Sequence, residues 1–459
     1  MNVHKRYTTK MELTIAQSVF AELIETAKNG ISTKPVDPIL GSLLIEASDS
    51  GKLTVIGTDL NVSIKTYSVV NIKQAGTVAL NAKLLADTVN NLSGELDIEV
   101  SDRTCMISHS TGKCRIVGGN SEDFPSIPET ENPTVISIPS KKLQAALLSC
   151  LYCSSTDETK LVLTGVHFQL QGENWSCAST DGHRLAFVSS KLEANYEPLS
   201  FTVPRRSLTE LEKILSNAPE NSSCTLKVGK NTIQFILPNA ELTSRLLEGQ
   251  FPNINSFIPR NFANEIVVER KGMEIILKRI SHFAEKKHKI VKILWEVNDQ
   301  QATLMTGNTD IGDAVDSLLI KTQTSVGENI GIGLNSGYLQ EALKHISTDE
   351  IVFRFNKPLQ PVIISPVGGL LDQLTLVMPV DVQDFDKPQQ LKDTSKPDAE
   401  AVAENSAEVD SLPEAEQVSD ETTDQEEKAT SDTPAANKPK SRKRKQEAKP
   451  KPELETTTA

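Results

Sequence analysis

The chain has 459 residues, with 48 Lys and Arg against 61 Asp and Glu and a formal charge of −13. That length exceeds what one hydrophobic core organises, while 38% hydrophobic residues suffice for several cores. The acidic sum argues against a surface coated by nucleic acid, although binding depends on where charge sits rather than on its total.

Other classes are excluded as quickly. No segment approaches the ~18 consecutive apolar residues of a membrane span, and Met1–Lys10 lacks the apolar centre of a secretion signal. Met11 is a second candidate start, and a cytoplasmic protein is expected. The cysteines at 105, 114, 150, 153, 177 and 224 include one close pair, Cys150 and Cys153, with no second pair or His cluster to complete a metal set. They read as reduced structural thiols, and neither a metal nor a cofactor is expected.

The predicted elements come in three rounds. Leu13 and Ile15 read as a strand leading into a helix with Val19, Phe20, Leu23, Ile24 and Ala27 on one face. Val78–Asn81 then precedes a second helix carrying Leu84, Leu85, Val89 and Leu92, and Leu96–Val100 pairs with Thr104–Ser108. The second round has Ile136 and Ile138 before Leu143, Ala146, Leu147 and Leu151, then Phe201–Pro204 before Leu208, Leu211, Ile214 and Leu215. Its strand pair is Cys224–Val228 with Thr232–Ile236. The third has Val267 and Val268 before Met273, Ile276, Leu277 and Ile280, then Ile332–Asn335 before Tyr338, Leu339, Ala342 and Leu343. Ile351–Phe355 pairs with Val362–Ser365. Each round reads as two helices covering an antiparallel sheet, an α+β arrangement.

Two markers keep step with these rounds. Phe124-Pro125, Phe251-Pro252 and Met378-Pro379 recur about every 127 residues, and Thr58-Asp59, Thr180-Asp181 and Thr309-Asp310 run in step with them. Self-similarity at this period means tandem copies of one domain. The expected bounds are an extension 1–10, domains 11–132, 133–259 and 260–382, and a tail 383–459. The tail holds nineteen acidic and twelve basic side chains, a net −7, leaving −6 on residues 1–382. Its acidic stretch 397–432 gives way to a basic one from Lys438 to Lys451, with few large apolar residues, the composition of a disordered arm. The Lys440–Lys445 run reads as an arm contacting DNA or protein, or else as a targeting address.

Thr180-Asp181-Gly182-His183-Arg184-Leu185-Ala186, Pro38-Ile39-Leu40-Gly41 and Met378-Pro379-Val380 closely resemble motifs of the bacterial DNA polymerase III beta subunit family, the sliding clamps. The resemblance runs from about Met11 to Val382. It implies a head-to-tail homodimer of six domains closed around duplex DNA, with twelve helices lining the hole. It also implies a non-catalytic processivity factor that tethers the polymerase III catalytic subunit and also serves the clamp loader and other clamp-motif proteins. The residues agree in part: Lys83, Lys141, Lys142, Arg205, Arg206 and Lys271 lie in first turns of four predicted helices, with Lys278, Arg279, Lys286, Lys287 and Lys344 further along. By resemblance Lys34 and Lys160 join the DNA-facing set. The same resemblance implies an apolar partner-peptide pocket between the second and third domains, formed by Leu163, Thr180, Gly182, His183, Arg184, Leu185, Pro252, Phe257, Pro361, Met378, Pro379 and Val380. His183-Arg184 also reads as a turn that stabilises the second domain. Ser256 and Asp381 depart from the family pattern, in which basic residues are usual. No nucleophile elbow, carboxylate pair or phosphate loop accompanies Asp181–His183, so no enzyme is expected. The alternative is a clamp-fold scaffold that binds peptide motifs without encircling DNA.

Overall fold

A computed structural model describes residues 10–32, 34–284, 289–296, 298–308, 312–324 and 329–382. The Thr309-Asp310 marker, Lys286, Lys287 and the tail lie outside these. The first copy contains β1 (Lys10–Ala16), α1 (Gln17–Lys28), β2 (Ser42–Ala47), β3 (Lys52–Thr58), β4 (Val62–Val69), β5 (Asn71–Gln74), β6 (Gly76–Asn81), α2 (Ala82–Asn90), β7 (Glu95–Ser101), β8 (Thr104–His109) and β9 (Gly112–Val117). In the second, β10 (Thr134–Pro139) and α3 (Ser140–Cys150) precede β11 (Gly165–Thr180) and β12 (Arg184–Pro204). These long strands do the work of β2–β6, and α4 (Arg205–Ser216), β13 (Ser223–Val228), β14 (Thr232–Ile236) and β15 (Ala240–Arg245) complete the copy. The third has β16 (Asn264–Glu269), α5 (Arg270–Ile280), β17 (Ile290–Glu296), β18 (Gln301–Asn308), β19 (Gly312–Thr324), β20 (Ile330–Asn335), α6 (Ser336–Lys344), β21 (Glu350–Phe355), β22 (Val362–Pro366) and β23 (Asp372–Val377).

The repeat is visible in individual hydrogen bonds. Each copy's first helix starts with the same backbone bond to the loop after the second helix: Gln17 N to Gly94 O, Ser140 N to Ser222 O and Arg270 N to Asp349 O. Each copy is closed by a second one, Gly119 N to Ala79 O, Leu247 N to Thr202 O and Val380 N to Gly333 O. The Asn81 and Asn335 side chains cap α2 and α6 by accepting first-turn N–H groups, which supplies acceptors the helix lacks. Behind the helix faces lie three apolar clusters, one per copy.

These bonds correct one reading. Val380 takes the place of Gly119 and Leu247, so Pro379 corresponds to Gly118 and Leu246, not to Pro125 and Pro252. The sequence interval matched by accident, because the loops of the third copy differ in length.

The sheets also do not respect the copies. One eight-stranded sheet runs β10-β13-β14-β15-β4-β3-β2-β6, and a ten-stranded one runs β11-β12-β23-β22-β21-β16-β19-β18-β17-β20. The first copy meets the second through β4 and β15, and the second meets the third through β12 and β23, both antiparallel. Val62 and Ile64 of the first copy accordingly sit in the second copy's apolar cluster.

Trp295 anchors the third copy at 1% exposure, its ring 5.1 Å from Phe353 and 5.7 Å from Phe355. Trp295→Ala is expected to lower the unfolding free energy by about 3–5 kcal/mol. Urea denaturation followed by circular dichroism measures this.

Candidate functional site

β11 ends and β12 begins around a four-bond turn. Asp181 Oδ1 accepts from His183 N at 2.9 Å and Arg184 N at 3.1 Å. Thr180 Oγ1 accepts from Gly182 N and donates to Arg184 O at 2.6 Å. Gly182 has φ +96°, a backbone state that a side chain would strain. The first copy builds the same turn, with Asn61 N and Val62 N on Asp59 Oδ1 and Leu60 N on Thr58 Oγ1. There Leu60 occupies the left-handed position at φ +75°. The Thr-Asp marker is thus a turn with a mechanism: the carboxylate and hydroxyl take the N–H groups the hairpin cannot pair.

Arg184 ties that turn to the third copy. It is 8% exposed. Its Nε donates to Asp181 Oδ2 at 3.0 Å, Nη1 to Glu341 on α6, and Nη2 to Tyr152 O at 2.8 Å. The guanidinium lies 4.5 Å from the centre of the Tyr338 ring. Tyr152 adds two contacts across the same junction, stacking on His345 at 4.5 Å and bonding Thr375 Oγ1 at 2.6 Å. Arg206 does the corresponding job between the first and second copies, pairing with Asp59 and donating to Ile31 O.

Outside this node a cavity of about 160 Å³ is lined by Leu163, Thr180, Gly182, His183, Arg184, Leu185, Pro252, Ile254, Phe257, Leu376 and Met378. Nine of the twelve sequence-selected pocket residues therefore converge. Phe257 and Met378 are 57% and 42% exposed and stand at its rim. Pro361, Pro379 and Val380 do not line it, and Val380 turns away to β20. Ile254 and Leu376 were missed, although each lies two residues from a selected neighbour, Pro252 and Met378. On an extended segment that spacing returns a side chain to the same face. Phe251 supports the wall from behind by stacking on His167 at 4.7 Å.

The selected basic residues divide into groups. Lys83, Lys142, Arg205, Lys271 and Lys278 stand on α2–α5, with no ion pair among the described residues. Lys141 approaches Glu220 at 3.9 Å with both side chains exposed, and Arg279 pairs with Asp316 at 3.0 Å. Arg206 is held as described. Lys34 and Lys160 are exposed on connecting segments, Lys160 within the 3-10 turn Glu158–Thr164 that leads to the cavity. None of the six helices carries an acidic residue in its first turn.

Profiles of the DNA polymerase III beta subunit match the whole repeat region: the N-terminal domain at residues 11–128, the central domain at 137–253 and the C-terminal domain at 255–380. The chain belongs to the DNA polymerase III beta subunit family. The beta sliding clamp of Synechocystis sp. is 32% identical over 391 residues, covering 81% of this chain and 99% of that one. The clamp of Synechococcus elongatus is 30% identical over 380 residues, with 81% and 100% covered. The crystal structure of the Bacillus subtilis DNA polymerase sliding clamp aligns at a TM-score of 0.76 and 26% identity, over 81% of this chain and 100% of that one. The function is accordingly that of a sliding clamp, on a fold of three α+β clamp domains. No helix among the described residues is long and apolar enough to cross a membrane.

Within this clamp fold, Ser256 bonds its own turn at Asn253 O, and Asp381 is exposed just past the cavity. Neither brings a positive charge to the cleft. The thiols of Cys150, Cys153 and Cys177 are buried, and burial pushes their pKa values up, that of Cys153 to about 12.

Three outcomes follow. Arg184→Ala leaves the partly buried Asp181 and the half-exposed Glu341 without their cation and is expected to cost about 1–3 kcal/mol in urea unfolding. Arg279→Ala, an exposed pair, is expected to cost under about 1 kcal/mol. Burial lowers the His167 pKa from 6.5 to about 4. The unfolded chain therefore takes up this proton first as pH falls, and protonation between those values favours unfolding. Stability should decline from pH 6.5 toward pH 4, and His167→Asn should flatten that part of the profile measured by thermal unfolding.

Proposed function

We propose that two copies of this chain close head to tail into a ring around duplex DNA, slide along it, and hold the replicative polymerase at the cleft beside Arg184. The observation that carries this reading is the arithmetic of the joints. Each joint inside the chain pairs the last strand of one copy with the β4-type strand of the copy before it. β9 of the first copy and the Gly312–Leu319 half of β19 are the same two strands without that partner. A heterologous contact of this kind makes a ring when the rotation closes, and an exposed sheet edge is the surface that seeks a partner.

The register follows from the ladders. Counting back from the capping residues Asn81 and Asn335, Val78–Ile45–Val55–Thr66 and Ile332–Ile293–Leu304–Asp316 are equivalent rows. On the other side Leu13–Ile98–Ile107–Cys114, Ile136–Leu226–Phe235–Leu242 and Ile266–Phe353–Ile364–Thr375 correspond. Internally Leu242 faces Ile64 and Thr375 faces Ala186. Cys114 should therefore face Ala314 of the second copy, with Arg115 opposite Asp313. The bonds Arg245 N to Asn61 O and Met378 N to His183 O mark the alternation. It makes Cys114–Ala314 a non-hydrogen-bonded pair, with Cα atoms ~4.5 Å apart.

DNA would be held through phosphates, without sequence preference. Lys and Arg in a helix's first turn meet the positive end of its dipole, a placement that disfavours the helix by about 0.3–1 kcal/mol each. Four helices accept this, and a phosphate would offset it. The cleft supplies an apolar floor with an adaptable Met378 for short peptides of polymerase, loader and repair proteins. Linkage then raises the polymerase's effective concentration at its template. The clamp contributes no bond-making step in this reading.

The test is the Ala314→Cys chain under mild oxidation. Cross-linking to the native Cys114 is expected to give a covalent dimer on non-reducing gels, because that Cα spacing suits a disulfide. A chain that stays monomeric in native mass spectrometry, or that cross-links through Val315→Cys but not Ala314→Cys, contradicts the joint.

A further inference from the structure

A second cavity, of about 490 Å³, lies beside the cleft, within the second copy. Its polar lining is His167 on β11, Ser200 and Thr202 on β12, Lys230 in the β13–β14 turn and Gln250 after β15, and no carboxylate lines it. In a chain with 61 Asp and Glu against 48 Lys and Arg, a cavity with a cation and no acid reverses the prevailing charge. Backbone bonds build it: Leu246 N donates to Asn231 O and Leu247 N to Thr202 O, both at 2.9 Å, which holds the segment after β15 between the turn and β12. Thr202 is buried and bonds His167 Nδ1 at 3.0 Å. Lys230, Gln250 and Ser200 are exposed, and Lys230 forms no ion pair among the described residues.

This cavity and the cleft share one run of chain. Gly249, Gln250 and Phe251 line the cavity, while Pro252, Ile254 and Phe257 line the cleft. Gln250 and Pro252 therefore have Cα atoms at most ~7 Å apart, a span that two residues of an extended peptide cover. A Cβ built on Gly249, at φ +113°, would lie 3.6 Å from Val162, the neighbour of the cleft's Leu163. Phe251 is the partition: its ring stacks on His167 at 4.7 Å and packs in one apolar cluster with Leu185, Ile254 and Leu376 of the cleft. The cleft itself has no free arginine, because Asp181 and Glu341 engage Arg184. The unpaired cation stands one cavity further along.

We propose that this cavity takes the carboxylate of an acidic residue flanking the apolar core of a partner peptide, with Lys230 as counter-ion and Gln250 and Ser200 as further donors. The proposal rests on the cleft reading above and adds a charge requirement to it: an acid about two or three residues beyond the core, on the side that meets the 249–251 end of the shared segment. Ammonium, amide and hydroxyl groups all donate to carboxylate oxygens, and the ammonium makes the contact charge-assisted. An aspartate gains this contact, an asparagine lacks the charge, and a lysine is repelled.

The probe is a set of fluorescein-labelled peptides with a common core of Leu and Phe, carrying Asp, Asn or Lys two or three residues from it on either side. Anisotropy titrations use the full chain, Lys230→Gln and Lys230→Glu. Lys230 is exposed and unpaired, so both variants are expected to fold as the parent does. The unaltered chain is expected to bind the best-placed Asp peptide about fivefold more tightly than its Asn counterpart, and added salt should shrink that advantage. Lys230→Gln is expected to erase the difference with the Asn peptide's affinity unchanged, and Lys230→Glu to favour the Lys peptide. Equal binding of Asp and Asn peptides at every placement, or an Asp advantage that survives Lys230→Gln, overturns the proposal and leaves the cleft reading standing. Failure of the unaltered chain to bind any of the peptides refutes the cleft reading and the proposal with it.

Discussion

An antiparallel edge that recurs three times and is paired only twice governs this molecule. At the β4–β15 and β12–β23 joints, one copy's sheet continues into the next, and side chains of one copy complete the apolar cluster of its neighbour. The third instance ends in open strands, β9 at one extremity and part of β19 at the other. Backbone N–H and C=O groups on such edges are strong, obligatory hydrogen-bonding groups. In the proposed ring a second copy would satisfy them with the geometry the chain already uses twice, and closure would then substitute for affinity: a ring on DNA needs no tight contact to remain there.

The same economy explains the Arg residues. Arg206 looks interchangeable with the surface lysines in sequence, but it and Arg184 both dock on the Asp of a Thr-Asp turn and fix adjacent copies against each other. Arg184 also has one edge in the cleft. The wall of the cavity is thus held by the same ion pairs that set the junction of the second and third copies. Of the lysines in the first helical turns, Lys83, Lys142 and Lys271 form no ion pair among the described residues, and Lys141 approaches only the exposed Glu220.

Much of this was legible in the chain. The helices were marked by their apolar spacing and the strand pairs by alternation. Nine of the cleft residues were reached through the family resemblance that the Thr-Asp-Gly-His-Arg string carries; the turn's own need for a carboxylate, a hydroxyl and a glycine marks only the residues of the turn itself. Joining of sheets between copies was not legible, since edge strands such as β15 and β23 carry no mark of which strand they meet. The partners of Arg206 and Arg279 were hidden for the same reason: Asp59 and Asp316 are distant in sequence. Pro379 misled because a loop-length difference restored the interval by chance, and the hydrogen bond from Val380 to Gly333 exposes it.

The central claim is topological and can be measured as such. Protein carrying Ala314→Cys is loaded onto closed circular DNA with its loader, oxidised to seal the joint, and treated with a denaturing detergent. Threading requires that sealed protein stays with the circle through the detergent and is lost once a single double-strand cut makes the DNA linear. Sealed protein that the detergent strips from the intact circle, or that remains bound after the cut, would contradict it.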